Sequence, residues 1–151
     1  MSVRVTATKI GSAFWDTSTL VPLCCQQDES QGLRQIARRT KRTVVWWGAT
    51  VEAYSAFSRL VREGKMTARG YKQAVARLEA QRNTWIEMLP SDRVRQIAET
   101  LPALHGLRAL DSFQLAAALV WCKEQPRNRL FVCCDERLVE TAAKVGFDVL
   151  P

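Results

Sequence analysis

Asp16, Glu52, Asp111 and Asp135 are the side chains whose type and placement in this sequence could support chemistry. Asp16 and Asp135 each directly follow an apolar run that reads as a strand, residues 13–15 (AFW) and 130–134 (LFVCC). Glu52 and Asp111 each fall in the first turn of a segment with helical periodicity. In an open parallel sheet the carboxyl ends of strands and the amino ends of the following helices share one edge, where ligands bind, so carboxylates in these places converge. A single acid in a helix's first turn only complements the macrodipole, which is worth about 0.3 to 1 kcal/mol. Four at one edge repel, by about 3 kcal/mol for each pair ~5 Å apart at an effective dielectric of about 20. Such a cluster needs protons or a cation to persist. Oxygen donors without histidine suit hard Mg²⁺ or Mn²⁺ and disfavour zinc. Ser18, two residues after Asp16, is placed either to hold that carboxylate or a metal's water, or simply to cap a helix.

Other reactive residue types offer less. The single histidine, His105, stands at the end of a helical segment, where a dipole-stabilised surface role is the default. The five cysteines (Cys24, Cys25, Cys122, Cys133 and Cys134) are odd in number and form no CxxC motif. They read as reduced, buried, small apolar residues of a cytosolic protein. Tryptophans 15, 46, 47, 85 and 121 mostly fall on apolar segments and read as core rather than base-stacking platforms.

The elements that must position the acids alternate in type. The strand over 13–15 ends at Asp16 and leads into a helix capped within the run Thr17-Ser18-Thr19, with Pro22 tolerable only in its first turn. Residues 30–39 carry Leu33, Ile36 and Ala37 on one side of a short helix, and 43–47 (TVVWW) form a second strand. Thr50 caps a helix with Val51, Tyr54, Phe57 or Ser58, and Val61 stepping by three and four. Gly64 ends it, and Thr67 caps its hairpin partner bearing Tyr71, Val75 and Leu78. A short strand over 85–89 and a helix capped by Ser91 follow, the helix ended by Pro102 and the His105-Gly106 pair. Residues 108–123 form an apolar helix, 130–134 a strand, 136–145 a helix stopped by Gly146, and 147–150 a last strand. This alternation predicts an α/β fold, a three-layer α/β/α sandwich about a central parallel sheet. The 151 residues suit one domain, with residues 1–12 a loose lead-in.

The formal net charge of +7 is unevenly spread. Residues 34–72 hold ten basic side chains against two acids, while the rest of the chain sums to −1. A basic stripe on a nearly neutral chain suits a polyanion-binding face, although solvated helix faces look the same. Within it Arg59, Arg62, Arg69 and Lys72, on the helical hairpin, are the candidates for contact with such a polyanion. The longest late apolar stretch, residues 113–122, is about half of the ~20 residues a membrane span needs. A soluble, unexported, cytoplasmic protein is therefore expected.

Several segments together resemble the PIN-domain ribonucleases, specifically the VapC-type toxins. FWDTSTLVPL is similar to the family's opening strand with its Asp-x-Ser. TVEAYSAFSRLVREGKM is similar to its Glu-bearing helix and turn, LRALDSFQLAAAL to its Asp-bearing central helix, and LFVCCDERLVETAAKVGFDVL to its closing strand, helix and strand. Pro22 stands where a long side chain is common, and Cys133 where Thr or Ser is frequent. The resemblance implies a PIN-like fold and Mg²⁺- or Mn²⁺-dependent endonucleolytic cleavage of RNA. Asp16, Glu52, Asp111 and Asp135 would then hold one or two metals that activate a water in line with the phosphate. It also implies a homodimer and a cognate VapB-type antitoxin, as in type II toxin–antitoxin pairs.

Other classes fit less well. An Asp-dependent phosphotransferase of the haloacid dehalogenase type needs a second Asp where Ser18 stands, and a receiver domain needs an acidic pair near its first strand. A catalytically silent PIN-like RNA- or protein-binding module remains the alternative, but a pure phosphate binder gains nothing from carboxylates beside its ligand.

Overall fold

Successive residues of the inner strands face opposite layers, as a sheet covered on both sides requires. In β1 (Ile10–Trp15), Ala13 and Trp15 pack into one apolar cluster and Phe14 into another; β2 (Thr40–Trp46) divides Val45 from Val44 and Trp46 in the same way. With β3 (Ile86–Met88), β4 (Leu130–Val132) and β5 (Asp148–Leu150), they form one sheet in the order β3-β2-β1-β4-β5. Every neighbouring pair is parallel. The computed structural model describes residues 9–151.

The helices α1 (Thr17–Cys24), α2 (Ser30–Arg39), α3 (Ala49–Arg62) and α4 (Ala68–Arg82) contribute to the apolar clusters on one side. Those on the other side come from α5 (Asp92–His105), α6 (Ala109–Trp121) and α7 (Glu136–Val145). The expected three-layer α/β/α sandwich is the observed architecture. Among the described residues no helix is long and apolar enough to cross a membrane.

Local differences from the sequence reading have simple causes. β1 begins at Ile10, so residues 10–12 of the expected lead-in are strand, and residues 1–8 lie outside the described residues. Ile10 and Ser12 pair with Thr40 and Arg42 at the less buried end of the sheet, where no apolar run advertises a strand. The cap of α1 is Asp16 itself, whose carboxylate accepts from the Ser18 amide, rather than a hydroxyl residue. Pro22 lies beyond the first turn, and Pro102 lies inside α5 instead of ending it; Gly106, at φ +67°, provides that stop.

Gly48, not Thr50, is the cap position of α3. The helix buries Ala49, Thr50, Ala53 and Phe57, leaving Val51 and Val61 exposed. The predicted face was rotated because small residues, not the large apolar ones, let α3 approach α1 closely. β4 stops at Val132, and Cys133 and Cys134 form the turn into α7. Trp15 and Trp46 are core, Trp85 and Trp121 pack at its margins, and Trp47 is exposed.

Candidate active site

The strand order reverses direction at β1 and β4, and the crevice beyond their carboxyl ends is where open α/β sheets bind ligands. Asp16 follows β1 and Asp135 follows the turn after β4; the Asp16 amide donates to the Val132 carbonyl at 3.0 Å, tying the two strand ends together. Asp16 is 4% exposed, on the floor of the site. Its Oδ2 accepts from the Ser18 amide at 3.1 Å and from the Cys133 thiol at 3.6 Å. Asp135 stands at the rim, where Oδ1 caps α7 by accepting from the Leu138 amide at 2.9 Å.

Glu52, one turn into α3, is held from the opposite layer. Gln114 is fully buried on α6, and its Nε2 donates to Glu52 Oε2 at 3.2 Å and Oε1 at 3.4 Å, and to Thr17 Oγ1 at 2.7 Å. The Gln114 Oε1 is buried without a partner. Asp111, three residues earlier on the same helix, is half-buried and shares the face of Gln114.

All four carboxylates line one open cleft of about 410 Å³, together with Ser18, Gln27, Ser55 and Arg59. Burial pushes Asp16 above the ordinary carboxylate range, bonds from Ser18 and Cys133 oppose the rise, and Asp135 adds repulsion. Burial likewise lifts Glu52 to about 7, against bonds from Gln114 and Thr17 and with added repulsion from Asp16 and Asp111. Asp111 is raised by burial and then by Asp16 and Asp135, while Arg108 and Arg137 hold it down. Asp16, Glu52 and Asp111 therefore each feel at least one other acid of the cleft.

The ion pairs among the described residues engage other carboxylates, those of Glu63, Glu79, Glu87, Asp92, Glu99, Glu124 and Glu140. An oxygen-only donor set, partly desolvated and without an ion-paired protein cation, is chemically fitted to a hard divalent cation. As the side chains stand, no three His, Cys, Asp or Glu among the described residues are gathered closely enough to hold one.

Ser18 has a more specific place than its sequence position suggested. Its amide donates to Asp16 at 3.1 Å, its side chain helps to hold the same carboxylate, and its Oγ accepts from the Cys134 amide at 3.0 Å, pinning the turn after β4 against α1. Cys133 occupies the middle of this arrangement, its sulfur also accepting from the Asp135 amide at 3.3 Å. The four basic candidates do not form one group. Arg59 lines the acidic cleft, Arg62 and Lys72 line an apolar groove with Val61 and Tyr71, and Arg69 lines neither. Sequence reasoning missed Gln114, whose signal was a polar side chain inside an otherwise apolar helical run. It also missed Arg108 and Arg137, which flank Asp111 and Asp135 in a second depression.

No family model matches the chain, and no curated protein matches it in sequence. Solved structures do match it in shape. VapBC2 from Rickettsia felis, in a crystal structure bound to a DNA fragment from its promoter, superposes with a TM-score of 0.64 at 10% identity. That match covers 93% of this chain and 99% of the other. PAE2754 from Pyrobaculum aerophilum superposes with a TM-score of 0.60 at 15% identity, covering 95% and 90%. At such identities the likeness establishes architecture: the chain shares the PIN-like three-layer α/β/α fold of these two structures.

Proposed function

We propose that this chain is a divalent-metal-dependent endoribonuclease, the toxin member of a toxin–antitoxin pair. One observation carries the reading: Asp16, Glu52, Asp111 and Asp135, from four different elements, line one cleft, and none of them is ion-paired with an arginine or lysine among the described residues. Mg²⁺ or Mn²⁺ held by these four residues would supply an activated water and offset charge on the phosphate. Asp16 is fixed as an acceptor on the floor by Ser18 and Cys133. Glu52 is held in place by Gln114, whose carboxamide donates to both of its carboxyl oxygens. Arg59, in the same cleft, offers a positive contact to a substrate phosphate.

The likeness to VapBC2 supports a VapB-type antitoxin as partner, and the reading carries with it a homodimer acting in the cytoplasm. The separation of the four side chains favours the alternative, an RNA- or protein-binding domain without hydrolysis. Cleavage of a single-stranded RNA panel with graded Mg²⁺ or Mn²⁺ decides between them. Activity that rises with the metal and vanishes in chelator is expected. Undiminished cleavage in excess EDTA refutes the metal site, and no cleavage at any metal concentration leaves the binding module.

A further inference from the structure

Asp111 and Asp135 line two adjoining depressions. One is the acidic cleft, which contains Arg59; the other contains Arg108 and Arg137. The two acids thus stand between one arginine and a pair of arginines. All three basic side chains are exposed, and none takes part in an ion pair among the described residues.

Helix stability does not account for the pair. Arg108 is the residue at the cap position of α6, makes no side-chain capping bond, and Arg137 lies in the first turn of α7. A cation at a helix amino end opposes the macrodipole, which favours anions there. Nor do the two neutralise Asp111, since they moderate its charge from beyond ion-pair distance. Two guanidiniums without an ion pair among the described residues, at the amino ends of two helices, line one depression with Asp111, Asp135 and Glu136, and are available to an anion from outside the chain.

Resting on the ribonuclease reading above, we propose that Arg108 and Arg137 bind the backbone phosphates of a single-stranded RNA on one side of the cleaved bond and Arg59 on the other. The strand then crosses the acidic centre from the first depression into the second. A single strand fits better than a duplex because Asp16, at 4% exposed, lies on a floor that a flexible backbone can descend to and a rigid double helix cannot.

The test uses the full chain and a short single-stranded RNA in excess chelator, where the metal-dependent reading allows no cleavage, with affinity followed between about 50 and about 200 mM salt. Each phosphate contact on a single strand contributes a slope of about 0.7 in log affinity against log salt. Arg108→Ala with Arg137→Ala should flatten the slope by about 1.4 and Arg59→Ala by about 0.7, with Lys at each position restoring it. Trimming the oligonucleotide from one end should erase the effect of the double variant and leave that of Arg59→Ala; trimming from the other end should do the reverse. Unchanged slopes in the double variant, with the wild type bound, overturn the path and leave the pair for another partner, such as an acidic peptide. Sensitivity of both sets to the same end also overturns it. A wild-type protein that binds no RNA at all instead overturns the ribonuclease reading on which the path depends.

Discussion

Replacing Glu52 by Gln should stabilise the metal-free protein, and only as the pH approaches and passes neutrality. In the folded chain the carboxyl titrates near 7 against an ordinary 4.5, chiefly because it is buried. Between those values the folded state keeps a proton that the unfolded state has released. The unfolded chain therefore binds fewer protons, and stability falls as the pH rises. The contribution is fully present below about 4.5 and lost above about 7. A difference of this size corresponds to at most about 3 kcal/mol, and partial solvent access reduces it to about 2. Gln cannot ionise, so the variant escapes that loss, and it also relieves the repulsion between Glu52 and its neighbours Asp16 and Asp111. Urea unfolding in chelator from about pH 4 to about pH 8 measures the gap, provided both proteins keep the same dependence on denaturant. The variant's advantage should be small at the acid end, grow through the window and level off. A constant advantage would mean improved packing rather than relief of charge. An advantage shrinking as the pH rises would show Glu52 paired with a protein cation, and would refute the electrostatic account.

Gln114→Leu removes the amide that steadies Glu52 and also the buried, unpartnered Oε1, so folding should survive while the Glu52 window moves to higher pH by about one unit. The same unfolding series checks this, and an unmoved window would show the contact to be energetically idle. If the proposed antitoxin inserts an arginine or lysine among the four acids, inhibition of cleavage should weaken as Mg²⁺ or Mn²⁺ is raised at constant ionic strength. Inhibition that ignores the metal and survives alanine at the antitoxin's basic residues would place the block elsewhere, on the path of the RNA.

The fold was legible where burial imposed a period. The stretches TVVWW and LFVCC are too apolar for a one-sided sheet, and they form inner strands of a sheet covered on both faces. Helix α7 was readable to the residue, because Asp135 starts it and Gly146, at φ +115°, stops it. What misled was the size of side chains on α3. Val51 and Val61 looked like a core stripe, but the helix packs through Ala49 and Ala53, with Phe57 the large residue on that face. Caps of hydroxyl type were overcounted at Thr17-Ser18-Thr19 and at Thr50, since a carboxylate and a glycine take those positions. Thr67 and Ser91 do cap their helices, by accepting from Gly70 and Val94.

Convergence of the four acids was legible because strand ends and helix starts meet at one edge whatever the side chains between them. Two of the groups that hold them were not, because they come from segments distant in sequence. Gln114 meets Glu52 from another layer, and Cys133 meets Asp16 from the turn after β4. The basic stripe of residues 34–72 failed as a single face for the same reason. Helical geometry sends Arg59 into the cleft and Arg62 toward the groove near Tyr71, and two arginines nearer the acids lay outside the stripe altogether.

The nature of these supporting contacts bears on what the cleft is for. A buried carboxylate is costly unless its oxygens are satisfied, and an arginine or lysine would satisfy them while cancelling the charge. Here the donors to Asp16 and Glu52 are a backbone amide, a thiol and a carboxamide, all neutral. They offset part of the desolvation cost and fix the oxygens in place, yet leave the negative potential of the cleft intact. The arginines close to the site stay exposed at its margins, free of ion pairs among the described residues. A cluster whose floor is held by neutral donors, with cations free of ion pairs only around it, has the charge distribution expected if a small cation binds at the centre and an extended anion lies across it.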